Sequence, residues 1–83
     1  MDMKRQLIRA STSSGANYEE GQGAPTKPDV KTKIGISLKE MRETNYFLRV
    51  FNKLNLGHAS KSEYLVNESA ELKKILASII NKL

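Results

Sequence analysis

The sequence contains no cysteine and no tryptophan, and His58 is its single histidine. Without cysteine the chain has no disulfide, no thiolate metal ligand and no cysteine nucleophile. One histidine excludes a site built from several histidines, as well as a histidine relay. The composition therefore lacks the residues on which most metal sites and much of enzyme catalysis depend, and it predicts no metal site and no cofactor.

Long hydrophobic runs are also missing, since no apolar stretch exceeds three residues. A membrane-spanning helix needs about 20 apolar residues and a signal peptide an apolar core of about 7–15, so neither is predicted. We expect a cytoplasmic protein that does not contact a membrane. Aromatic residues are few, with two Phe and three Tyr, which argues against a stacking surface for single-stranded nucleic acid.

The chain has 83 residues, enough for one small domain with a thin hydrophobic core. Lys+Arg 14 against Asp+Glu 9 gives a formal net charge of +5. Residues 24–60 hold seven basic and three acidic residues, so the positive excess is concentrated in the middle of the chain. This balance favours acidic partners in general without identifying one.

Glycine and proline divide the sequence into three segments. In each segment apolar residues recur at helical spacing, so we predict one helical domain over residues 1–83. A stretch rich in serine and threonine, at residues 11–15, would ordinarily indicate a linker, but the spacing of the apolar and small residues around it favours a helix. The predicted helices lie near residues 2–21, 28–56 and 61–82. Thr26 or Asp29 is the expected N-cap of the middle helix, and Gly57 the expected residue just beyond its end.

The middle helix carries two apolar stripes on different sides, although one bundle core needs only one. The second stripe is either a broad core face, a partly exposed edge or a subunit interface, and we favour the interface. Its residues are Ile36, Phe47, Val50 and Leu54.

A basic stripe runs along a further side of the middle helix, within an arc of about 120°. Lysine and arginine are the usual surface residues of helical bundles, so the ordinary interpretation is a solvated face. The alternative is contact with the phosphates of RNA or DNA, independent of base sequence. The residues of this basic stripe are Lys27, Lys31, Lys39, Arg42, Arg49 and Lys53.

Four polar residues, Asn17, Glu20, Glu40 and Glu43, lie near helix faces that must pack. We expect them to form hydrogen bonds or ion pairs with residues such as Arg9. Carboxylates can act as a general acid and base, but no nucleophile or oxyanion donor accompanies these. We therefore predict that the protein is not an enzyme and has no small-molecule substrate.

Four blocks of the sequence, residues 6–21, 33–40, 43–48 and 68–76, resemble the 23S rRNA-intervening-sequence proteins, a family of bacterial four-helix bundles. The resemblance implies an all-α, antiparallel up-and-down helical bundle, assembly into a homo-oligomer, a pentamer in known relatives, and no established enzymatic activity. Related bundles include basic pentameric accessory proteins of diversity-generating retroelements, which engage a reverse transcriptase and nucleic acid. The resemblance thus implies an oligomeric bundle protein whose molecular role is not established. The alternative is a nucleic-acid-binding accessory factor for a reverse transcriptase or ribonucleoprotein.

Family members begin with a further amphipathic helix, and Met1 stands just before the position of their second helix. We therefore expect three of the four family helices here, with some apolar surface left uncovered. A truncated gene product, a late start codon and oligomer contacts over the gap are the open explanations. Ser14 and Tyr18 make the first helix more polar than the family pattern, which has isoleucine or valine at the first position and isoleucine at the second.

Overall fold

The computed structural model describes residues 2–55 and 59–83. Three helices follow one another, α1 (Met3–Gln22), α2 (Lys27–Lys53) and α3 (Ala59–Lys82), and the described ranges contain no β-strand. The all-α fold class is confirmed. The segment rich in serine and threonine lies inside α1, so the apolar spacing predicted its structure correctly where residue propensity alone favoured a linker.

The start of α2 agrees with the sequence-based prediction, but its end does not. Thr26 is the N-cap, and its Oγ1 accepts a hydrogen bond from the backbone N–H of Asp29 at 3.3 Å. The helix ends at Lys53 instead of extending to residue 56. Asn55 adopts a positive φ of 53°, a left-handed conformation that asparagine tolerates better than most residues with a side chain. The predicted role of Gly57 falls outside the described residues.

α2 is the central helix of the fold. α1 and α3 each pack against it, but within the described ranges no Cα atom of α1 lies within 8 Å of one in α3. Arg9 contacts Glu43, whereas Glu20, farther along α1, contacts Lys33, so α1 and α2 run antiparallel. The three helices thus leave one side of the fold open between α1 and α3.

The core lies mainly along α2 and is small. It joins Ile34 and Leu38 of α2 to Leu76 of α3. Because Asn45, which follows Leu38, bonds to Ser69, which precedes Leu76, α3 is antiparallel to α2. The buried apolar side chains of the described residues are Ala10, Ile34, Leu38, Phe47, Leu48 and Leu76.

Two buried serines link α1 to α2. Ser14 Oγ donates a hydrogen bond to the backbone oxygen of Ser37 at 2.9 Å, and Ser37 Oγ donates to the backbone oxygen of Ser14 at 2.8 Å. Each bond leads from a side chain of one helix to the backbone of the other, which small side chains make possible. The polarity that distinguishes Ser14 from the family pattern is therefore satisfied inside the chain.

α1 and α2 also approach closely at Gly21, where an added Cβ would lie 2.9 Å from Ile34 Cδ1 and 3.3 Å from Ile34 Cγ1. We expect Gly21→Ala to lower the free energy of unfolding by about 1 kcal/mol, because crowding of a buried isoleucine outweighs the gain in helix propensity. Gly35→Ala is the matched control, since a Cβ there would meet nothing within 4 Å. It should raise the free energy of unfolding by up to about 1 kcal/mol. Urea denaturation followed by circular dichroism measures both, and effects of the same sign would contradict this packing.

Candidate nucleic-acid and assembly surfaces

The structure exposes the whole basic stripe along α2. All six residues are solvent-exposed, and none of them forms a salt bridge with an acidic residue of the described ranges. Lys33, the basic residue of α2 that lies off the stripe, instead pairs with Glu20 at 2.8 Å. The positive charge of the stripe is thus left available to an external anion.

The two glutamates of α2 pair with α1 and not with the stripe. Arg9 Nη1 lies 3.2 Å from Glu40 Oε2, and Arg9 Nη2 lies 2.6 Å from Glu43 Oε2. The predicted pairing of these carboxylates with Arg9 is confirmed, and Glu20 likewise forms an ion pair. Asn17 bonds within its own helix, to the backbone oxygen of Ser13 at 2.9 Å.

The ion pair of Arg9 with Glu43 is expected to make the free energy of unfolding depend on pH. The hydrogen bond from Arg9 is the main reason that the pKa of Glu43 lies below its ordinary value of 4.5. A lowered pKa means that the ionised carboxylate stabilises the fold above the ordinary value, and that this contribution disappears as the pH falls through the lowered one. We expect the free energy of unfolding to fall as the pH drops below the ordinary value of 4.5 and through the lowered pKa of Glu43, and to fall less steeply in Arg9→Gln.

Chemical denaturation at a series of pH values measures this difference. The difference should be small, because the side chains of Arg9 and Glu43 are both more than a third exposed and solvent screens the pair. Arg5→Gln is the control, since the contact of Arg5 with Asp2 is longer, at 4.0 Å, and more exposed. Equal pH profiles for Arg9→Gln and the parent protein would show that the pair does not contribute.

Asn45 is buried and uses every hydrogen-bonding position of its amide. Its Nδ2 donates to the backbone oxygen of Val66 at 3.2 Å and to Ser69 Oγ at 2.9 Å. Its Oδ1 accepts from Arg49 Nε at 3.0 Å and from Lys73 Nζ at 3.2 Å. This network holds α3 on α2 and brings Lys73 beside Arg49 of the basic stripe. The sequence provided no signal for Lys73, because the contact joins two helices.

Tyr46 lies among the residues of the basic stripe. Its side chain is 54% exposed, and the guanidinium carbon of Arg49 lies 6.0 Å from the centre of its ring. Together with Lys53 they line a cleft of about 330 Å³. The small number of aromatic residues argued against a stacking surface for single-stranded nucleic acid, but the structure places one exposed aromatic ring, that of Tyr46, beside the stripe. A signal was present in the sequence, since Tyr46 follows Arg42 by one helical turn and precedes Arg49 by nearly one.

The structure separates the four residues of the second apolar stripe. Leu54 is 58% exposed, Ile36 is also exposed and Val50 is half-buried, but Phe47 is only 8% exposed and belongs to the core. The assignment of Phe47 to a solvent-facing interface is thus corrected. The reason is that α2 packs against two helices and buries a broader arc than one stripe.

An apolar groove of about 380 Å³ lies between α1 and α3, along the open side of the fold. Leu72 and Ile75 of α3 line it and are exposed. The facing part of α1 is formed largely by small residues. The lining residues are Ser11, Ser14, Gly15, Tyr18, Ser37, Met41, Leu72, Ile75 and Leu76.

Two further sequence-based expectations concern metals and membranes. His58, the single histidine, lies outside the described residues. Within residues 2–55 and 59–83, no group of three or more His, Asp or Glu side chains is placed to hold a metal ion. In the same ranges no helix combines the length and the apolar character needed to cross a membrane.

Comparison with known proteins gives the family. The model of the 23S rRNA-intervening sequence protein family matches residues 1–78. This chain belongs to that family. Curated protein sequences give no match. A solved structure of a protein of unknown function from the S23 ribosomal protein family, from Bacteroides thetaiotaomicron, is similar over 96% of this chain and 74% of its own, with 36% sequence identity and a TM-score of 0.89.

Proposed function

We propose that this 23S rRNA-intervening sequence protein is a non-catalytic helical-bundle subunit that self-associates and presents a basic surface. The observation that carries the proposal is its uncovered apolar surface. Among the described residues nine large apolar or aromatic side chains are exposed, whereas six apolar side chains are buried. Two of the exposed side chains, Leu72 and Ile75, line the same apolar groove, and a contiguous exposed apolar surface is typical of a site that another polypeptide covers.

The groove between α1 and α3 supports a four-helix antiparallel arrangement. The backbones of α1 and α3 each lie close to α2, but within the described ranges no Cα atom of α1 lies within 8 Å of one in α3, which is the geometry of a bundle with one position open. About a quarter of the chain of the relative from Bacteroides thetaiotaomicron lies outside the part that it shares with this protein, enough for a further helix. In this protein a neighbouring subunit would supply the cover, and the family resemblance favours a pentamer.

Size-exclusion chromatography with light scattering tests self-association. We expect a mass that is a multiple of 9.3 kDa at micromolar concentration. Leu54→Glu places a charge on the exposed part of the second stripe, and Leu72→Glu places one in the groove, so the variant with the smaller mass identifies the interface. Lys74→Glu, at an exposed polar position, is the control and should keep the parent mass. A monomer of the parent protein throughout this range would overturn the proposal.

A second candidate function, nucleic-acid-binding accessory factor, is favoured by the unpaired basic stripe. Six exposed cations on one side of one helix provide phosphate contacts without base readout. Repetition of the stripe around an oligomer would add the fields of the subunits. The partner would be RNA or DNA, within a complex that contains a polymerase or another ribonucleoprotein component.

Salt dependence distinguishes the two functions. Phosphate contacts make the logarithm of the binding constant fall against the logarithm of salt concentration, with a slope near −0.9 per contact on duplex DNA, whereas apolar self-association responds weakly. Arg42→Glu combined with Lys53→Glu should abolish binding of a labelled duplex in fluorescence anisotropy. Lys4→Glu combined with Lys61→Glu makes the same charge change outside the stripe and should weaken binding much less. If the parent protein binds no nucleic acid at about 50 mM salt, the nucleic-acid-binding function is wrong and only the assembly function remains.

A further inference from the structure

Two cations converge on one neutral atom at the contact of α2 and α3. Arg49 Nε and Lys73 Nζ both donate to Asn45 Oδ1, at 3.0 and 3.2 Å, so the two nitrogen atoms are no more than about 6 Å apart. Neither side chain forms a salt bridge with an acidic residue of the described ranges. The amide oxygen orders both side chains but does not neutralise them, so a bound anion would relieve their repulsion.

Both side chains keep donors for such an anion. Arg49 uses Nε for Asn45, and within the described ranges its two terminal Nη groups have no hydrogen-bond partner. A guanidinium with a free terminal fork matches the geometry of two phosphate oxygens. Lys73 uses one of its three ammonium donors for Asn45, so two donors remain. The arrangement suits a phosphate held between α2 and α3.

An aromatic ring lies beside one member of this cation pair, Arg49. Tyr46 is exposed, and its ring centre is 6.0 Å from the Arg49 guanidinium carbon, short enough for one nucleotide to reach both. A tyrosine ring offers a flat surface to any base, whatever its sequence. In a duplex both faces of a base are already stacked, so a base becomes available to Tyr46 only in a single strand.

We propose that Arg49, Lys73 and Tyr46 form a binding site for single-stranded nucleic acid. The two cations hold a backbone phosphate and Tyr46 stacks the neighbouring base. This site rests on the nucleic-acid-binding function proposed above, to which it adds the strand class and a residue from α3. The remaining cations of the basic stripe extend the phosphate path along α2.

The test is fluorescence anisotropy with labelled oligothymidylate and oligouridylate of about twelve nucleotides, within the range of known single-strand sites, and with a duplex of equal length. Tyr46→Ala should weaken single-strand binding by about five- to a hundredfold and leave duplex binding unchanged, and Tyr46→Phe should bind like the parent. The DNA and RNA oligomers share phosphate and base chemistry, so tighter binding of either supports the site and identifies the sugar that it accepts.

Lys73→Gln tests the phosphate part of the site, because it removes the charge but keeps an amide donor for Asn45. It should weaken single-strand binding about tenfold and reduce the salt slope by about 0.7, the value for one contact on a single strand. Lys74→Gln is the matched control: it makes the same charge change at the next position of α3, where the lysine is exposed and pairs with Glu71. Circular dichroism of each variant checks that the helices are retained.

Three results would overturn the proposal. If Tyr46→Ala and Lys73→Gln bind single strands like Lys74→Gln, while Arg42→Glu combined with Lys53→Glu does not bind, this site is wrong and the basic stripe remains. If Tyr46→Ala weakens single-strand and duplex binding equally, the preference for single strands is wrong. If the parent protein binds no nucleic acid at about 50 mM salt, the site and the nucleic-acid-binding function fail together.

Discussion

Ile34→Ala is expected to lower the free energy of unfolding by about 3 kcal/mol. Ile34 is 1% exposed and packs in the core with Leu38 and with Leu76 of α3, while its far end lies against Gly21 of α1. Truncation therefore opens a cavity where all three helices meet. A domain of this size has a total stability of about 4–12 kcal/mol, so the loss is a large part of it.

Urea denaturation monitored by circular dichroism measures this effect, and Ile36→Ala is the matched control. Ile36 is on the same helix, but it is 36% exposed, so its truncation removes less buried area and leaves no closed cavity. We expect a loss below about 1 kcal/mol for the control. Similar losses at the two positions would mean that α2 buries a different side from the one described.

Asn45→Ala is expected to lower the free energy of unfolding by about 2 kcal/mol, because the buried hydroxyl of Ser69 loses a donor and the two helices lose the amide that joins them. Arg49 and Lys73 would also face each other without the oxygen that they share.

Asn52→Ala is the control for this prediction. Asn52 lies on the same helix and is half-buried, and its side chain makes no hydrogen bond to another described residue. The two variants make the same chemical change, and alanine is the better helix former, so we expect the control to be neutral or slightly stabilising. Thermal and urea denaturation compare them. A loss in Asn45→Ala no larger than in Asn52→Ala would show that the network does not hold α3.

Helical spacing places some residues of the proposed nucleic-acid surface close together, but it does not place Lys73. Tyr46, Arg42 and Arg49 share a side of α2, because residues three and four positions apart are neighbours on any helix. Their proximity could be derived from the sequence. The position of Lys73 beside Arg49 depends on the register between α2 and α3, and that register is held by the buried amide of Asn45.

Periodicity and capping preferences were enough to predict the all-α class, the three helices and two candidate N-caps for α2, of which the structure selects Thr26. Which parts of α2 are covered depends on how α1 and α3 pack against it. Phe47 and Leu54 have similar character and belong to the same predicted stripe, yet one is in the core and the other is exposed. A helical wheel orders side chains by angle around one axis, whereas burial depends on where the neighbouring helices lie, and the close approach at Gly21 and the network of Asn45 set those positions.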